Sequence, residues 1–381
     1  MNILVIDDDR DKYSSIFRVF EEDPVNAFYF FDAPYDSGEE YLAGLVEMVK
    51  EADISAVFSL SYYRFISLAC GVLKIPYLCW IVKGYEESSF DNTINNPWNH
   101  IFCADYDTFA VLEKAKVPNL TFMPLSFASD AVASGVPTKD ILVITDDVED
   151  LKSSSLKFDL LKDSSKGYLD GTLHSRKADL REKPFFENAA VYFREDMENC
   201  YPLSGGDYEP KNHKYDYRFF YPLLNNKTAH IIIFHITASW IKEDYKVDVL
   251  TQSKATDEVD HDRLTYYTHD EALGDRPVDF HDYKLTVYFP RHEEKNVVSE
   301  EMLEIMSSNS LLLLPGYVSD KLLEDTGAVF FRNRYEITKL IEKYLYDEAV
   351  RMEVVKANNA YVKGIRTYKE ALDIIMNAAV D

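Results

Sequence analysis

The sequence predicts an α/β protein that is built on parallel β-sheets. From the amino terminus to Met123, short apolar segments alternate with segments in which apolar residues recur at helical spacing. This alternation is typical of a doubly wound parallel sheet. Residues 282–326 repeat the pattern as a strand, a loop, a helix and a second strand. That second strand, Leu311–Leu314, is apolar on both faces, as in the middle of a parallel sheet.

Six predicted strands organise the first part of the chain, and helical segments separate them. They are Asn2–Ile6, Asn26–Phe31, Ile54–Leu60, Tyr77–Val82, His100–Ala104 and Leu120–Met123. The crossover between two parallel strands of one sheet is right-handed in nearly all proteins. This part of the chain has no GxGxxG pattern, so the dinucleotide-binding fingerprint is absent. We expect a Rossmann-like domain over residues 1–130.

The second part of the chain repeats the same kind of pattern after a small and polar stretch, Ser126–Thr138, which indicates a crossover between domains. The predicted strands are Asp140–Thr145, Val247–Thr251, Leu264–Tyr267, Tyr283–Phe289, Leu311–Leu314 and Ala328–Phe331, and the predicted helices are Glu336–Tyr346, Ala349–Val362 and Thr367–Ala378. Asp146–Pro184 is polar and predicted to be helical, and Ala229–Ile241 is an apolar element of either type. We expect a second Rossmann-like domain over 131–365 and a terminal helix, 366–381, that is able to cross back to the first domain.

The composition restricts the classes of partner. A chain of 381 residues can form two domains with separate cores. Hydrophobic residues make up 46% of it, but no apolar run has the roughly 18 residues that a transmembrane segment needs. The amino terminus lacks the basic region and the cleavage site of a signal peptide. A net charge of −25 argues against binding to nucleic acid or to an anionic membrane. Since the sequence shows neither a signal peptide nor a transmembrane run, we expect a cytoplasmic protein.

The cysteines and histidines do not have the spacing of a metal site. Cys70, Cys79, Cys103 and Cys200 form no CxxC pair, and three of the four lie in apolar segments. We therefore expect buried free thiols in a reducing compartment. The histidines show neither metal-ligand nor catalytic-triad spacing. No metal is predicted.

An acidic triplet, Asp7–Asp9, follows the first predicted strand and allows two interpretations. Phospho-acceptor receiver domains begin in this way, but they also need an aspartate at the end of the third strand, where this chain has Ser59. The other interpretation is that the aspartates cap the following helix. The second interpretation is favoured.

Two loops are the places where we expect function. Ligands of open α/β sheets bind at the carboxyl ends of the strands. The loop Arg291–Ser299 follows the strand Tyr283–Phe289 and lies at such an end. A second long loop follows Tyr77–Val82 and contains Lys83, Gly84 and Tyr85. Long loops in this position are often functional, although Lys83 is also compatible with an ordinary exposed lysine.

Several short motifs occur in one order over most of the chain. They are Ile75–Val82, His100–Phe102 with Met123–Leu125, Lys166–Gly171, Lys246–Thr251, Leu303–Leu314, Lys343–Leu345, Arg351 and Arg366–Tyr368. In this order they resemble the IPYVSWIVDSP strand, the IF and LPLA pair, the KGYLDG segment, the VDLYT strand, the FDILACGGFLLTN segment and the YYL, R and HTY motifs of the CgeB-like spore-maturation-protein group of GT-B glycosyltransferases. The shared order carries more weight than any single motif.

The resemblance implies a GT-B architecture, with two facing Rossmann-like domains and an interdomain cleft. The carboxyl-terminal domain would bind a nucleotide-sugar donor and the amino-terminal one an acceptor, with no metal and no cofactor. Glu304 is at the position of a carboxylate that holds the ribose hydroxyls, and a carboxylate can accept two hydrogen bonds from a diol. The alternative is a glutamate on a half-buried helix without a ligand. Arg291, His292 and Lys295 are the candidates for stabilising the diphosphate, although the two cations are also compatible with solvated charges.

The chain departs from the family pattern at several site positions. Asn296 stands where the related E-x7-E pattern has its first glutamate. This chain has Lys83-Gly84-Tyr85 where the family has the sequence DSP. Val297 and Glu301 replace a glycine and an arginine, and Asn309 replaces another glycine. A glutamate in place of arginine would repel a diphosphate rather than offset its charge.

Two hypotheses follow from these residues. The first is a glycosyltransferase that moves a sugar from a nucleotide-sugar to an unknown acceptor, with Asn296 among the donor-binding residues. The second is a catalytically degenerate GT-B protein that acts as a binding or partner subunit. A protein partner or an oligomer is compatible with both. The donor base, the sugar, the acceptor and the stereochemical outcome are not determined by the sequence.

Overall fold

The computed structural model describes fifteen stretches of the chain. They are residues 1–7, 10, 13–32, 39–82, 87–127, 136–145, 161–181, 193, 196, 245–251, 264–268, 278–290, 295–318, 322–323 and 326–379. The chain forms two compact units. The first comprises Met1–Asp130, Asn296–Glu300 and Ile365–Asp381, and the second comprises Ala131–Lys295 and Glu301–Gly364. Within the described residues, every helix is too short or too polar to cross a membrane.

Among the described residues, each unit shows a parallel sheet of six strands. The strands of the first unit are β1 (Asn2–Asp7), β2 (Ala27–Asp32), β3 (Ala56–Ser59), β4 (Tyr77–Ile81), β5 (Asn99–Cys103) and β6 (Leu120–Phe122). Those of the second are β7 (Lys139–Thr145), β8 (Val247–Thr251), β9 (Leu264–Thr268), β10 (Tyr283–Phe289), β11 (Leu311–Pro315) and β12 (Val329–Phe331). Every predicted strand forms within two residues of its predicted bounds, so the predicted parallel α/β fold is confirmed.

Nine α-helices are described. They are α1 (Ser14–Glu22), α2 (Glu39–Glu51), α3 (Arg64–Leu73), α4 (Tyr106–Lys114), α5 (Asp163–Ala178), α6 (Glu300–Ser307), α7 (Arg334–Tyr346), α8 (Glu348–Gly364) and α9 (Tyr368–Asn377). Short 3-10 helices occupy Glu87–Phe90, Asn92–Asn95 and Phe280–Asp282. Helix α5 confirms the helical prediction for part of the segment before Pro184. In the rest of that segment, residues 161–162 and 179–181 are described and are not helical. Residues 146–160 and 182–184, and the apolar element at 229–241, lie outside the described residues.

The strand order defines a switch point in each sheet. In the first unit the order is β2-β1-β3-β4-β5-β6, and it reverses direction between β1 and β3. In the second unit the order is β12-β11-β10-β7-β8-β9, and it reverses between β7 and β10. Because all strands are parallel, their carboxyl ends meet at one edge of each sheet. Ligands of open α/β folds bind at this edge, next to the switch point.

The core of the first unit has two layers because successive residues of a strand point to opposite faces. Ile3 and Val5 of β1 lie in one hydrophobic cluster, and Leu4 and Ile6 lie in the other. The first cluster also contains the terminal helix α9 through Tyr368, Ala371, Leu372, Ile375 and Met376. A capping box between Thr367 and Glu370 fixes the start of this helix. Residues from the carboxyl terminus therefore complete the first core.

Asp7, the first aspartate of the triplet, does not have the predicted capping role. Helix α1 begins at Ser14, beyond the triplet, and its N-cap Tyr13 makes no side-chain capping bond. Asp7 instead accepts a hydrogen bond from Arg10, Nη1 to Oδ2 at 3.1 Å. The guanidinium of Arg10 lies 4.6 Å from the ring centre of Phe30. The capping prediction is therefore wrong for Asp7, which ends β1 seven residues before α1 begins and pairs with Arg10. Asp8 and Asp9 lie outside the described residues, and for them it stays a prediction.

The predicted buried thiols are confirmed at three positions. Cys70, Cys79 and Cys103 are buried and free. Burial raises the pKa of the Cys70 thiol well above its ordinary value. Cys200 lies outside the described residues.

Candidate functional site

The candidate donor site lies at the carboxyl edge of the second sheet. Strand β10 ends at Phe289 beside the switch point, and Pro290 follows it. Tyr317, in the turn after β11, donates a hydrogen bond from its hydroxyl to the carbonyl oxygen of Pro290 at 2.9 Å. This hydrogen bond joins Pro290, the first residue after β10, to the turn that follows the neighbouring strand β11. The residue that precedes the predicted donor loop therefore has a defined position.

Only part of the predicted site can be placed. Arg291 and His292 lie outside the described residues, and so do Lys83, Gly84 and Tyr85 of the predicted acceptor-side loop. Their assignments stay predictions. Lys295, Asn296 and Glu304 are described, and the structure distributes them over the two units.

Glu304 is on the exposed face of α6. The buried face of this helix consists of Met302, Leu303, Ile305 and Met306. Glu304 lies between them in the sequence and is exposed at the surface of the second unit. Lys295, in the middle of the predicted loop, is half-buried. An exposed carboxylate on the helix after a strand-end loop can accept hydrogen bonds from a vicinal diol.

Asn296 is placed differently from Glu304. It belongs to the first unit, is 8% exposed, and donates a hydrogen bond from its side-chain amide to Oδ2 of Asp107 at 3.0 Å. Its carbonyl oxygen accepts a hydrogen bond from the backbone N–H of Tyr106 at 3.3 Å. Both partners are in the first turn of α4. The amide of Asn296 is therefore occupied by the protein itself.

The departures from the family pattern have identifiable surroundings. Val297 is 3% exposed and lies in the hydrophobic cluster of the first unit that also contains Trp80 and Tyr368. Its side chain fills part of a core, which a glycine would not do. Glu301, in the first turn of α6, and Asn309, two residues after the end of this helix, are half-buried.

Arg181 is a candidate that the sequence did not single out. The backbone N–H of Leu180 donates to the carbonyl oxygen of Arg332 at 2.7 Å, so the chain after α5 lies beside the end of β12. Gly316 follows β11, and a Cβ there would lie 3.3 Å from Cγ of Arg181 and from the carbonyl oxygen of Phe331. Glycine at this position lets the arginine pass close to the strand end. A helix, α5, and not a strand comes directly before Arg181. The rule that ligands bind at the carboxyl ends of strands therefore did not select this residue from the sequence.

The guanidinium of Arg181 is held in a fixed geometry. It donates to both carboxylate oxygens of Asp179, from Nε to Oδ1 at 2.9 Å and from Nη2 to Oδ2 at 2.7 Å. These hydrogen bonds raise the pKa of Arg181 above its ordinary value. The side chain remains 58% exposed. An oriented guanidinium near the carboxyl ends of β11 and β12 is chemically suited to a phosphate group.

A network of buried hydroxyl groups lies at the carboxyl end of β3 in the first sheet. Ser59, at the end of β3, donates to the carbonyl oxygen of Ser61 at 2.6 Å and lies 2.7 Å from the hydroxyl of Tyr77. The Tyr77 hydroxyl also accepts a hydrogen bond from the backbone N–H of Tyr63 at 3.0 Å. Burial raises the pKa of Tyr77 well above its ordinary value, so the hydroxyl stays protonated. The position that a receiver domain would phosphorylate is thus a buried serine with a structural role.

In the described part of the chain, no group of three or more His, Cys, Asp or Glu residues could hold a metal ion. Parts of both candidate loops lie outside this part. The expectation of a metal-independent protein therefore stays a prediction.

Comparisons with known proteins define the fold. No protein-family model matches the sequence, and no curated protein matches it. Among solved structures, a glycosyltransferase from Rickettsia africae has a TM-score of 0.52 at 10% identity and covers 99% of this chain and 98% of its own. The E. coli trehalose-6-phosphate structure bound with UDP-2-fluoro glucose has a TM-score of 0.52 at 9% identity, with 100% and 99% covered.

TarM has a TM-score of 0.51 at 10% identity over 90% of this chain, and the chain spans 58% of TarM's length. These similarities and the two six-stranded parallel sheets show that the protein has the GT-B fold, as the sequence resemblance predicted. At such low identity they define the fold alone. Membership in the CgeB-like group stays a prediction.

Proposed function

We propose that the protein is a glycosyltransferase that moves a sugar from a nucleotide-sugar donor to an acceptor in the interdomain cleft. The observation that carries the proposal is the exposed carboxylate of Glu304 on the helix that follows the strand-end loop of the second unit. The GT-B fold supports it, because the neighbouring structures include a glycosyltransferase and one bound to UDP-2-fluoro glucose. The proposal includes a cytoplasmic location and a reaction without metal or cofactor.

Each named residue has a role in the proposed reaction. Glu304 accepts hydrogen bonds from the two ribose hydroxyls and orients the donor. Arg291, His292 and Lys295 stabilise the negative charge of the diphosphate as it departs, since this charge grows in the transition state. The acceptor binds on the side of the first unit, where the loop with Lys83, Gly84 and Tyr85 follows β4.

A second candidate function is a catalytically degenerate GT-B protein that serves as a partner subunit. The specific observation in its favour is Asn296, whose side chain is bonded to Asp107 at the position where an active E-x7-E enzyme has a glutamate. Glu301 adds negative charge beside the site where a diphosphate would need positive charge. In this case the chain would keep the fold and bind another protein.

A thermal-shift screen distinguishes the two functions. The purified protein is heated with UDP, GDP, CDP, TDP or ADP, each with and without an attached sugar. A ligand that binds only the folded state adds about 2.7 kcal/mol to the unfolding free energy at a hundredfold excess over its Kd. The first function predicts a clear rise in Tm with one nucleotide.

Two variants give this screen its specificity. Glu304→Ala should abolish the rise, whereas Glu353→Ala, which removes another exposed glutamate on a helix of the second unit, should keep it. Equal rises in both variants would contradict the role of Glu304. Absence of any rise in the wild-type protein at millimolar nucleotide would contradict the enzyme proposal, and affinity capture of a catalytic partner would then test the second function.

A further inference from the structure

Helix α6, which carries Glu304, depends on the rest of the second unit for its position. It has eight residues, and isolated helices of fewer than about 12 residues are marginal in water. Its buried face consists of Met302, Leu303, Ile305 and Met306. Apolar burial is not directional, whereas a hydrogen bond restricts both distance and angle. The hydrogen bonds at the end of α6 therefore define the place of its last turn.

Side chains bind the carbonyl oxygens of this last turn. The last four carbonyl groups of a helix have no partner within the helix. The hydroxyl of Ser307 donates to the carbonyl oxygen of Glu304 at 2.8 Å. The hydroxyl of Ser308 donates to the carbonyl oxygen of Ile305 at 2.7 Å. The next carbonyl oxygen, that of Met306, accepts a hydrogen bond from the other helix α8.

Asn359 supplies this contact from α8. Its side-chain Nδ2 donates to the carbonyl oxygens of Met306 and Ser308, both at 3.0 Å. The same nitrogen donates to the carbonyl oxygen of Val355 at 2.9 Å, one turn earlier in α8, so its own helix orients the amide. Helix α8 has 17 residues, and Asn359 is half-buried in it. The amide therefore joins the end of the short helix α6 to a long one.

A second contact holds the chain just after α6. The hydroxyl oxygen of Ser310 lies 2.7 Å from Oγ1 of Thr286 in β10, and both side chains are fully buried. The backbone N–H of Ser310 donates to the hydroxyl of Ser308 at 2.9 Å. The end of α6 is thereby attached to both α8 and β10. All of these residues belong to the second unit.

We propose that Asn359 is a positioning residue for Glu304 and that it sets the preference of the donor site for ribose over 2′-deoxyribose. This inference rests on the proposed function, in which Glu304 accepts hydrogen bonds from both ribose hydroxyls. A carboxylate can accept both bonds only within a narrow range of distance and angle. Without Asn359 the last turn of α6 loses a fixed point, and the carboxylate of Glu304 leaves this range.

The proposal predicts a selective effect on binding. The carboxylate of Glu304 contacts only the sugar of the nucleotide, so its displacement should weaken the binding of a ribonucleotide more than that of a 2′-deoxyribonucleotide. A purely structural role of Asn359 would change both affinities by the same factor, because it would alter only the fraction of folded protein. The ratio of the two Kd values therefore separates positioning from stability.

The test is calorimetry with a nucleoside diphosphate and its 2′-deoxy counterpart. UDP, GDP, CDP and ADP are screened first, and the one that raises the wild-type Tm most is used. The wild-type protein should bind the 2′-deoxy form about tenfold more weakly, which corresponds to about 1.4 kcal/mol. In Asn359→Ala the ratio of the two Kd values should fall below about threefold.

Two comparisons make the result specific. Asn2 also donates its side-chain amide to two carbonyl oxygens just after a helix, those of Ala52 and Asp53 after α2 in the first unit. Asn2→Ala is therefore the matched control and should leave the ratio unchanged. In a Glu304→Ala background, Asn359→Ala should change the ratio no further, because the carboxylate that it positions is already absent.

A milder variant covers the case in which Asn359→Ala does not fold. Asn359→Gln keeps both amide donors and moves them by one methylene, so its ratio should lie between those of the wild-type protein and Glu304→Ala. An unchanged ratio in a folded Asn359 variant would overturn the positioning role and leave the proposed function intact.

The remaining outcomes are also distinguishable. Equal binding of the two forms by the wild-type protein would overturn the ribose role of Glu304 together with the positioning role of Asn359. If none of the four ribonucleotides binds, the positioning role is refuted. If the thermal-shift screen is negative for every nucleotide, the proposed function is refuted as well.

Discussion

The contribution of the terminal helix to the first unit can be measured with two neighbouring isoleucines. Ile374 and Ile375 are both in α9, but Ile375 is fully buried in the first cluster and Ile374 is 41% exposed. Substitution of each by alanine removes the same atoms from the same helix. The two variants therefore share any change in helix propensity and differ only in the burial of the side chain.

The expected magnitudes are well separated. Replacement of a fully buried isoleucine by alanine costs about 2–5 kcal/mol, because it combines lost transfer free energy with a cavity. Substitution at a largely exposed position is usually within about 0.5 kcal/mol. For a unit of about 150 residues, each kcal/mol lowers Tm by roughly 2–4 °C. Ile375→Ala should therefore lower the Tm of the first unit by about 4–20 °C, and Ile374→Ala by at most 2 °C.

Calorimetry and tryptophan fluorescence are the assays. Trp80 is fully buried, donates its indole N–H to the carbonyl oxygen of Met123 at 3.0 Å, and has its ring centre 6.2 Å from that of Tyr368. Its fluorescence should therefore report when α9 separates from the first unit. Equal Tm changes in the two variants would refute the reasoning, because they would mean that α9 is not part of this core.

Two further predictions concern buried groups of the first unit. Tyr77→Phe removes a hydroxyl that accepts from the Tyr63 N–H, so a part-buried donor loses its partner. The unfolding free energy should then fall by about 1–3 kcal/mol in urea denaturation. Tyr346→Phe, at a 77% exposed position, should change it little, and an equal loss would contradict the role of the network. Burial lowers the pKa of His100 below its ordinary value of about 6.5. The unfolded chain therefore binds a proton at this histidine at higher pH than the folded protein does. Because protonation then favours the unfolded chain, the stability should decrease as the pH falls from 7.5 to 5.5. His100→Gln should reduce that decrease, and an imidazole titration by NMR that gives a pKa above 6.5 would contradict the prediction.

The sequence by itself determined the secondary structure and the class of fold. Strands such as Tyr283–Phe289 and Leu311–Leu314 are short apolar runs, and they are separated by segments of helical periodicity. Periodicity is a local property, because it depends only on which side chains share a face of the same element. The alternation of the two kinds of element then leaves few arrangements other than parallel sheets. For the same local reason, the sequence could place Glu304 on the helix that follows a strand-end loop.

The tertiary structure decided which residues meet at the site. Asn296 bonds to a residue 189 positions earlier in the chain, and this pairing has no signature in the sequence around either residue. Arg181 comes close to Gly316 only because the chain after α5 lies beside the end of β12. The sequence shows that helix α9 is amphipathic, but not which apolar surface its apolar face contacts. In the structure this face packs in the core of the first unit. Such contacts depend on closing long loops and on packing side chains from distant segments, and neither is encoded in local periodicity.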